Sequence, residues 1–476
     1  MATAEPGART TEIETIDPAT GEPLARYPRM SASNVDVALQ RARDAFNGWR
    51  STSFALRAES MRRLAAHLRA HKDDLARLAA AEMGKPIVEA EAEVEKCAWN
   101  CDYYADASAR FLADEPVTSN AAESYVAFRP LGVVLAIMPW NFPYWQVFRF
   151  AAPALMAGNV AVLKHAANVT GCALAIERAF AESGFLPSAF TSIVVGSEEM
   201  EPIVADARIA AVTLTGSEKA GSSVAAIAGK HLKKTVLELG GSDAFIVLAD
   251  ADVEAAAEVG VRARFQNAGQ SCIAAKRFIV EAAAHDAFVA AFVRRTQALR
   301  VGDPNDRATQ IGPLARADLR DALEAQVRAS VAHGARIATG GTPLVRPGFF
   351  FAPTVLTDVT ETLPVFAEET FGPVAAIVRA RDAEHAVTLA NASDYGLGGN
   401  LWTRDLARAR ALAARLESGS VFINGMTTSD PRLPFGGVKK SGYGRELSAF
   451  GIREFVNVQT VWLGPPRSPS TAVPAE

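Results

Sequence analysis

Four cysteines among 476 residues, Cys97, Cys101, Cys172 and Cys272, are too few for a disulfide scaffold, and a reducing compartment would keep them as thiols. Cys97 and Cys101 lie four apart in EAEVEKCAWNCDYYA, a helical pattern that puts both on one face. No further cysteine or histidine nearby completes a tetrahedral site, so they read as packing residues and no metal is expected. Long apolar runs are also missing: none approaches the ~20 residues needed to span a bilayer. The start, MATAEPGARTTEIETIDPATGEP, is polar and acidic, unlike a secretory leader with its basic start and apolar core, and a cytoplasmic location is the expectation. There is no excess of one charge. A net charge of −4 and a pI near 6.1 leave no basic footprint for a polyanion, so neither nucleic acid nor a membrane is an expected partner.

What remains is a chain that is 49% hydrophobic and 21% charged, long enough for roughly three domains or for two large ones sharing an interface. From about Ser53 to Ala81, Leu64, Leu68, Leu75 and Leu78 recur at helical spacing, which predicts an amphipathic helix or helical pair stopped by Gly84 and Pro86. Between about 133 and 248, short apolar runs (VVLAIMP, NVAVLK, FTSIVV, AVTLTG, TVLEL, AFIVL) alternate with helical stretches, the pattern of a parallel sheet covered on both faces. A second series from about 253 to 424 predicts another α/β domain. ESYVAFRP (123–130) and EFVNVQTVWLG (454–464) read as isolated extended pieces, of the kind that pair with each other or with another subunit. The tail PPRSPSTAVPAE reads as mobile.

Several residues break these patterns. LTGSEKAG (214–221) follows an apolar strand and opens a helix, the placement of a dinucleotide phosphate site, although it matches neither G-x-G-x-x-G nor a Walker A loop and is equally a plain turn. Lys164 ends an apolar strand, where open α/β sheets bind ligands; a solvated strand-end lysine is the bland reading. Glu238, in TVLELGGSD, is a carboxylate among apolar strand residues and must be ion-paired, protonated or functional. Asn141, fixed in MPWNFPYW between two prolines, either caps the following helix or offers its amide to a developing oxyanion. Cys272 follows AGQS, a short flexible connection, at the edge of an apolar pattern and not inside it. A quiet thiol and a reactive one are both open there.

Taken together, Asn141, Lys164, the Gly216/Gly221 turn, Glu238 and Cys272 occur in the order and approximate spacing of the aldehyde dehydrogenase superfamily, which the chain resembles over essentially its whole length. LELGG, F-x-N-x-G-Q-x-C, EETFGPV (368–374), IDPATGEP and PFGGVKKSGYGRELS carry the likeness. The resemblance implies an aldehyde dehydrogenase-like α/β fold of two Rossmann-type domains plus a small β oligomerisation arm. The expected units are an NAD(P)-binding domain at 10–115 and 136–239, a catalytic domain at 240–434, and an arm at 116–135 and 450–464. It makes Cys272 the nucleophile, Asn141 an oxyanion donor and Glu238 the base that activates water on the thioester. It assigns the cofactor to Trp140, Lys164, Ala167, Gly216, Ser217, Gly221, Glu369 and Phe371, with Gly216 and Gly221 giving close backbone approach. Members that select NAD commonly have a glutamate where this chain has Ala167; without it nothing repels a 2′-phosphate, which Lys164 and His165 would attract. NADP is therefore the expected cofactor, with NAD as the alternative.

For the substrate, the chain looks most like the shorter, bacterial-type succinate semialdehyde dehydrogenases, in which Arg149 and Ser429 would clamp the far carboxylate. The alternative is an aliphatic or aromatic aldehyde against Trp145 and Phe435. Gln266 stands where the larger branch of these enzymes has an arginine, and Ile273, Ala274 and Ala275 leave no second cysteine for a disulfide switch. A homodimer or homotetramer is implied.

Overall fold

The structure, a computed structural model, describes residues 11–464; residues 1–10, with the expected start of the first unit, and the tail 465–476 lie outside the described residues. Six strands form the first sheet, in the order Gly442–Tyr443, Lys234–Glu238, Ile209–Thr215, Val133–Met138, Val160–His165 and Phe190–Ser192. Neighbours are parallel except for the first pair. The strands are apolar on both faces because both are covered: Val133, Val134, Leu135, Val160, Val162 and Leu163 are fully buried. The chain runs outward from 133–138 to 190–192, then resumes on the other side with 209–215. The order therefore reverses between 133–138 and 209–215, and the crevice beyond their carboxyl ends is where an open sheet takes a ligand.

The helical segment 53–81 is a pair, Phe54–Ala70 and Lys72–Met83. Gly84 ends the second helix with φ of 77°, and a Cβ there would meet Pro313 at 2.6 Å. The 25-residue helix Ile87–Phe111 follows and buries Cys97 and Cys101 on its packing face, where loss of solvent pushes both thiols up.

Seven strands form the second sheet, in the order Arg336–Thr339, Thr354–Thr357, Val374–Ala380, Ala275–Glu281, Asp243–Val247, Gly399–Trp402 and Val421–Ile423. Only the first pair is antiparallel. The two isolated extended pieces are each other's partners: Glu123–Pro130 pairs antiparallel with Val456–Leu463, with Glu115–Pro116 on its other side. The boundary of this arm differs from expectation, because Val133–Met138 is a central strand of the first sheet and the arm gives way at 131–132. A second difference is that Gly442–Tyr443 returns to pair with Lys234–Glu238, closing the chain over the carboxylate end of that strand.

Candidate active site

Cys272 lies in the loop between the helix Val253–Phe265 and the strand Ala275–Glu281. The loop is not a flexible connection: residues 267–271 are all buried and cross-bonded. The Asn267 N–H donates to Glu89 Oε2 (2.8 Å), and Asn267 Nδ2 to the carbonyls of Asn141 (2.7 Å) and Gln270 (3.1 Å). The Ala315 N–H donates to Gln270 Oε1 (2.9 Å), and Lys276 Nζ to the carbonyls of Ser271 (3.0 Å) and Cys272 (2.9 Å). Asn267, Ala268 and Gly269 take φ of 55°, 52° and 73° in succession. Left-handed non-glycine residues persist only where their surroundings over-determine them, and these bonds do so. The thiol itself is half-buried. Burial pushes it up to about 12 against the pull of Arg149 and Lys276, so at neutral pH it rests protonated.

Asn141 does not cap the helix Trp145–Met156; Glu93 Oε1 does, accepting from the N–H groups of Tyr144 (2.8 Å) and Trp145 (2.9 Å). Asn141 Nδ2 donates instead to the Gln270 carbonyl (3.1 Å), which fixes the amide beside the Cys272 loop and leaves its second hydrogen available. The Cys272 N–H has no protein acceptor among the described residues. Two donors are thus at hand for the oxyanion that forms when the sulfur adds to a carbonyl carbon.

Two cavities meet at Cys272. The larger, about 380 Å³, opens at the switch point and is bordered by Trp140, Asn141, Gly216, Ser217, Glu369 and Phe371. The smaller, about 170 Å³, is bordered by Lys96, Phe142, Trp145, Arg149, Ser429 and Phe435, with Glu89, Glu93 and Gln266. Cys272 and Gln146 border both.

The larger cavity fits a dinucleotide. Ser217 caps the helix Glu218–Lys230, accepting from the Ala220 N–H (3.3 Å), so a helix N-terminus faces the cavity beside Gly216, the arrangement that binds phosphate. Trp140 and Phe371 meet edge to face at 5.7 Å. Glu369 is held by the Gly241 N–H and by Lys276, each at 3.0 Å. Gly221 differs from expectation: it does not border the cavity, and its missing side chain makes room for Leu239, which a Cβ would meet at 2.4 Å. Lys164 is half-buried near Arg29 and Glu198, with its charge disfavoured by burial, and Ala167 is exposed at the start of a helical turn. His165 departs from its expected part in attracting phosphate. It is buried, accepts from the Ala166 N–H at Nδ1 (2.9 Å) and donates from Nε2 to the Pro143 carbonyl (2.8 Å). Burial lowers it to about 4, so it is a neutral strut.

Glu238 makes no ion pair within reach. Both carboxylate oxygens lack a partner among the described residues, and desolvation raises the group well above the carboxylate range despite the pull of Arg149. It lies against Gly436 and borders neither cavity. Arg149 borders the smaller cavity, but its charge is already met by Glu446, and its guanidinium stacks 4.4 Å over Phe435. Ser429 Oγ accepts from Lys96 Nζ (2.7 Å), a residue the sequence reading passed over. Its signal is faint: Glu89, Glu93 and Lys96 recur at helical spacing, which ordinarily marks a solvated face. Among the described residues no group of His, Cys, Asp and Glu is placed to hold a metal ion, and no helix is long and apolar enough to cross a membrane.

The aldehyde dehydrogenase family model matches residues 5–461. A succinate-semialdehyde dehydrogenase [NADP(+)] of Mycolicibacterium paratuberculosis is 52% identical over 460 residues, covering 96% of this chain and 98% of that protein. One from Mycobacterium ulcerans is 52% identical over 456 residues, covering 95% and 100%. Among solved structures, a succinic semialdehyde dehydrogenase from Streptococcus pyogenes in complex with NADP+ superposes with a TM-score of 0.93 at 38% identity, covering 95% of this chain and 100% of that one.

Proposed function

The chain belongs to the aldehyde dehydrogenase family, and from that premise we propose that it oxidises succinate semialdehyde to succinate with NADP, NAD being the poorer cofactor. The observation that carries the reading is the meeting of two cavities at one thiol, a larger one at the switch point beside a helix N-terminus and a small one with hydroxyl and cationic groups at its wall. At about 170 Å³ the second lies below the usual range for ligand sites, which suits a short substrate.

Cys272 Sγ, its proton released to water, attacks the aldehyde carbon, and the new oxyanion accepts from Asn141 Nδ2 and the Cys272 N–H. When bound, the dinucleotide supplies the hydride acceptor. The thioester left on Cys272 is cleaved by water, whose proton passes by relay to Glu238, which borders neither cavity; burial without a partner raises the proton affinity of its carboxyl. Glu369 and the Ser217-capped helix end hold the cofactor. The absence of a carboxylate at Ala167 favours a 2′-phosphate, with Lys164 near the end of the strand Val160–His165 as its cation. The reading places the reaction in the cytoplasm, in a homodimer or homotetramer joined through the arm.

A steady-state panel of aldehydes with each cofactor tests this. The expected result is the highest kcat/KM for succinate semialdehyde, with NADP preferred at least about tenfold, or ~1.4 kcal/mol. A higher kcat/KM for butanal or benzaldehyde would instead favour an apolar substrate against Trp145 and Phe435, and a tenfold preference for NAD would overturn the cofactor.

A further inference from the structure

Besides Cys272, four ionisable side chains border the smaller cavity, Glu89, Glu93, Lys96 and Arg149. Three of them have a partner within the protein. Glu93 pairs with Lys85 and accepts two backbone N–H groups at the start of the helix Trp145–Met156. Arg149 pairs with Glu446, both buried. Glu89 accepts the Asn267 N–H of the nucleophile loop. Lys96 is different. Its ammonium lies 4.3 Å over the Trp145 ring and donates to Ser429 Oγ, and no carboxylate stands within ion-pair distance of it among the described residues. The nearest acids are engaged elsewhere: Asp430 is held by Arg432, and Glu93 by Lys85. Burial and the positive charge of Arg149 both disfavour the ammonium, lowering it to about 8. Beside it, the buried indole N–H of Trp145 also has no acceptor.

We propose that Lys96 is the specificity-determining residue of the aldehyde cavity, its ammonium and the Ser429 hydroxyl together receiving the carboxylate at the far end of the substrate. The proposal rests on the reading of the substrate as a short aldehyde acid. A carboxylate there supplies the anion that Lys96 lacks, whereas the charge of Arg149 is already neutralised. An ammonium has three hydrogens; one is given to Ser429, and the others remain for two carboxylate oxygens. On this proposal the clamp that the resemblance gave to Arg149 passes to Lys96, which borders the same cavity. Arg149 becomes a positioning residue that anchors Phe435 in the wall.

The test uses the full-length enzyme with saturating NADP, comparing Lys96→Met and Lys96→Arg with wild type on succinate semialdehyde and on butanal, which has the same carbon count and no carboxylate. Lys96→Met should raise KM for succinate semialdehyde at least about tenfold more than KM for butanal, the scale of one lost charge-assisted hydrogen bond. Inhibition by succinate should weaken by a similar factor, and Lys96→Arg should restore much of both. Equal losses on the two aldehydes, or an unchanged KM for succinate semialdehyde, would overturn the role of Lys96. Failure of the underlying reading looks different: wild type itself would then show no preference for succinate semialdehyde over butanal.

Discussion

Arg149 and Glu446 are 2% and 4% exposed, paired beside the unpartnered Glu238, and the cluster is closed by Phe435. Removing one member of a buried pair strands the other charge, at a cost of about 3–5 kcal/mol, whereas replacing both with apolar groups is often nearly neutral. Arg149→Met should therefore lower Tm sharply and reduce kcat/KM by similar factors for succinate semialdehyde and butanal. Arg149→Met with Glu446→Leu should recover most of the Tm. A single variant that keeps its Tm and loses only succinate semialdehyde would restore Arg149 as the clamp. The contrast with Cys272, Asn141 and Glu238 shows what a sequence can disclose. Those three stand out because each breaks a local pattern, a thiol at the edge of an apolar stretch, an amide between prolines, a carboxylate inside a strand. Lys96 breaks none, since a lysine on a helix looks solvated until Ser429, 333 positions away, closes over it. Arg149 announces its charge but not its partner.

The helix Ile87–Phe111 is the element through which the aldehyde cavity and the nucleophile loop are joined. Glu93 on it caps the next helix, and Glu89 accepts the N–H of Asn267, whose left-handed backbone sets the path to Cys272. Burial raises the Glu89 carboxyl to about 7, against ~4.3 for an unfolded chain. The folded state thus holds its proton more tightly. The stability this contributes is fully present below ~4 and is lost as pH rises through about 7. Glu89→Gln cannot ionise yet still accepts from Asn267, so the Tm of the variant relative to wild type should climb between pH 5 and pH 8 by roughly 2–4 °C, and level off above. A difference that stays flat or falls with pH would show that Glu89 is charged in the fold. At this scale the sequence is most informative where an element is long enough to express a period: the long apolar strands of the first sheet, Ala275–Glu281 and Val374–Ala380 of the second, and the helix pair below residue 84 are visible in it, whereas the four-residue Thr354–Thr357 and Gly399–Trp402 are not. Two-residue bridges such as Gly442–Tyr443 are too short to carry one, and three successive left-handed residues at 267–269 leave no mark in composition.

Across the whole molecule, the site is assembled from both α/β units within one chain, while the arm contributes nothing to it. Its three strands form a separate sheet, order Val456–Leu463, Glu123–Pro130, Glu115–Pro116, tied to the body where Asn159 Nδ2 donates to the Phe455 carbonyl (2.9 Å). The strand Val456–Leu463 is an eight-residue edge, and it carries Val458, Trp462 and Leu463 exposed at 61%, 52% and 44%. A long apolar edge left in water is a template for pairing with another chain, and small sheets without a covered face are marginal alone. Both liabilities disappear if a second copy covers the arm, an outcome the extended pieces 123–130 and 454–464 left open in the sequence beside the pairing with each other that the structure shows. Val458→Glu with Trp462→Glu should convert the proposed oligomer to monomer in light scattering and lower Tm. Because Cys272, Asn141 and Glu369 all come from one chain, alkylation of Cys272 by iodoacetamide, followed by mass spectrometry, should proceed in the monomer at near the wild-type rate. An unchanged oligomer would move the interface off the arm, and a Cys272 made unreactive in a folded monomer would mean that a second subunit shapes the site.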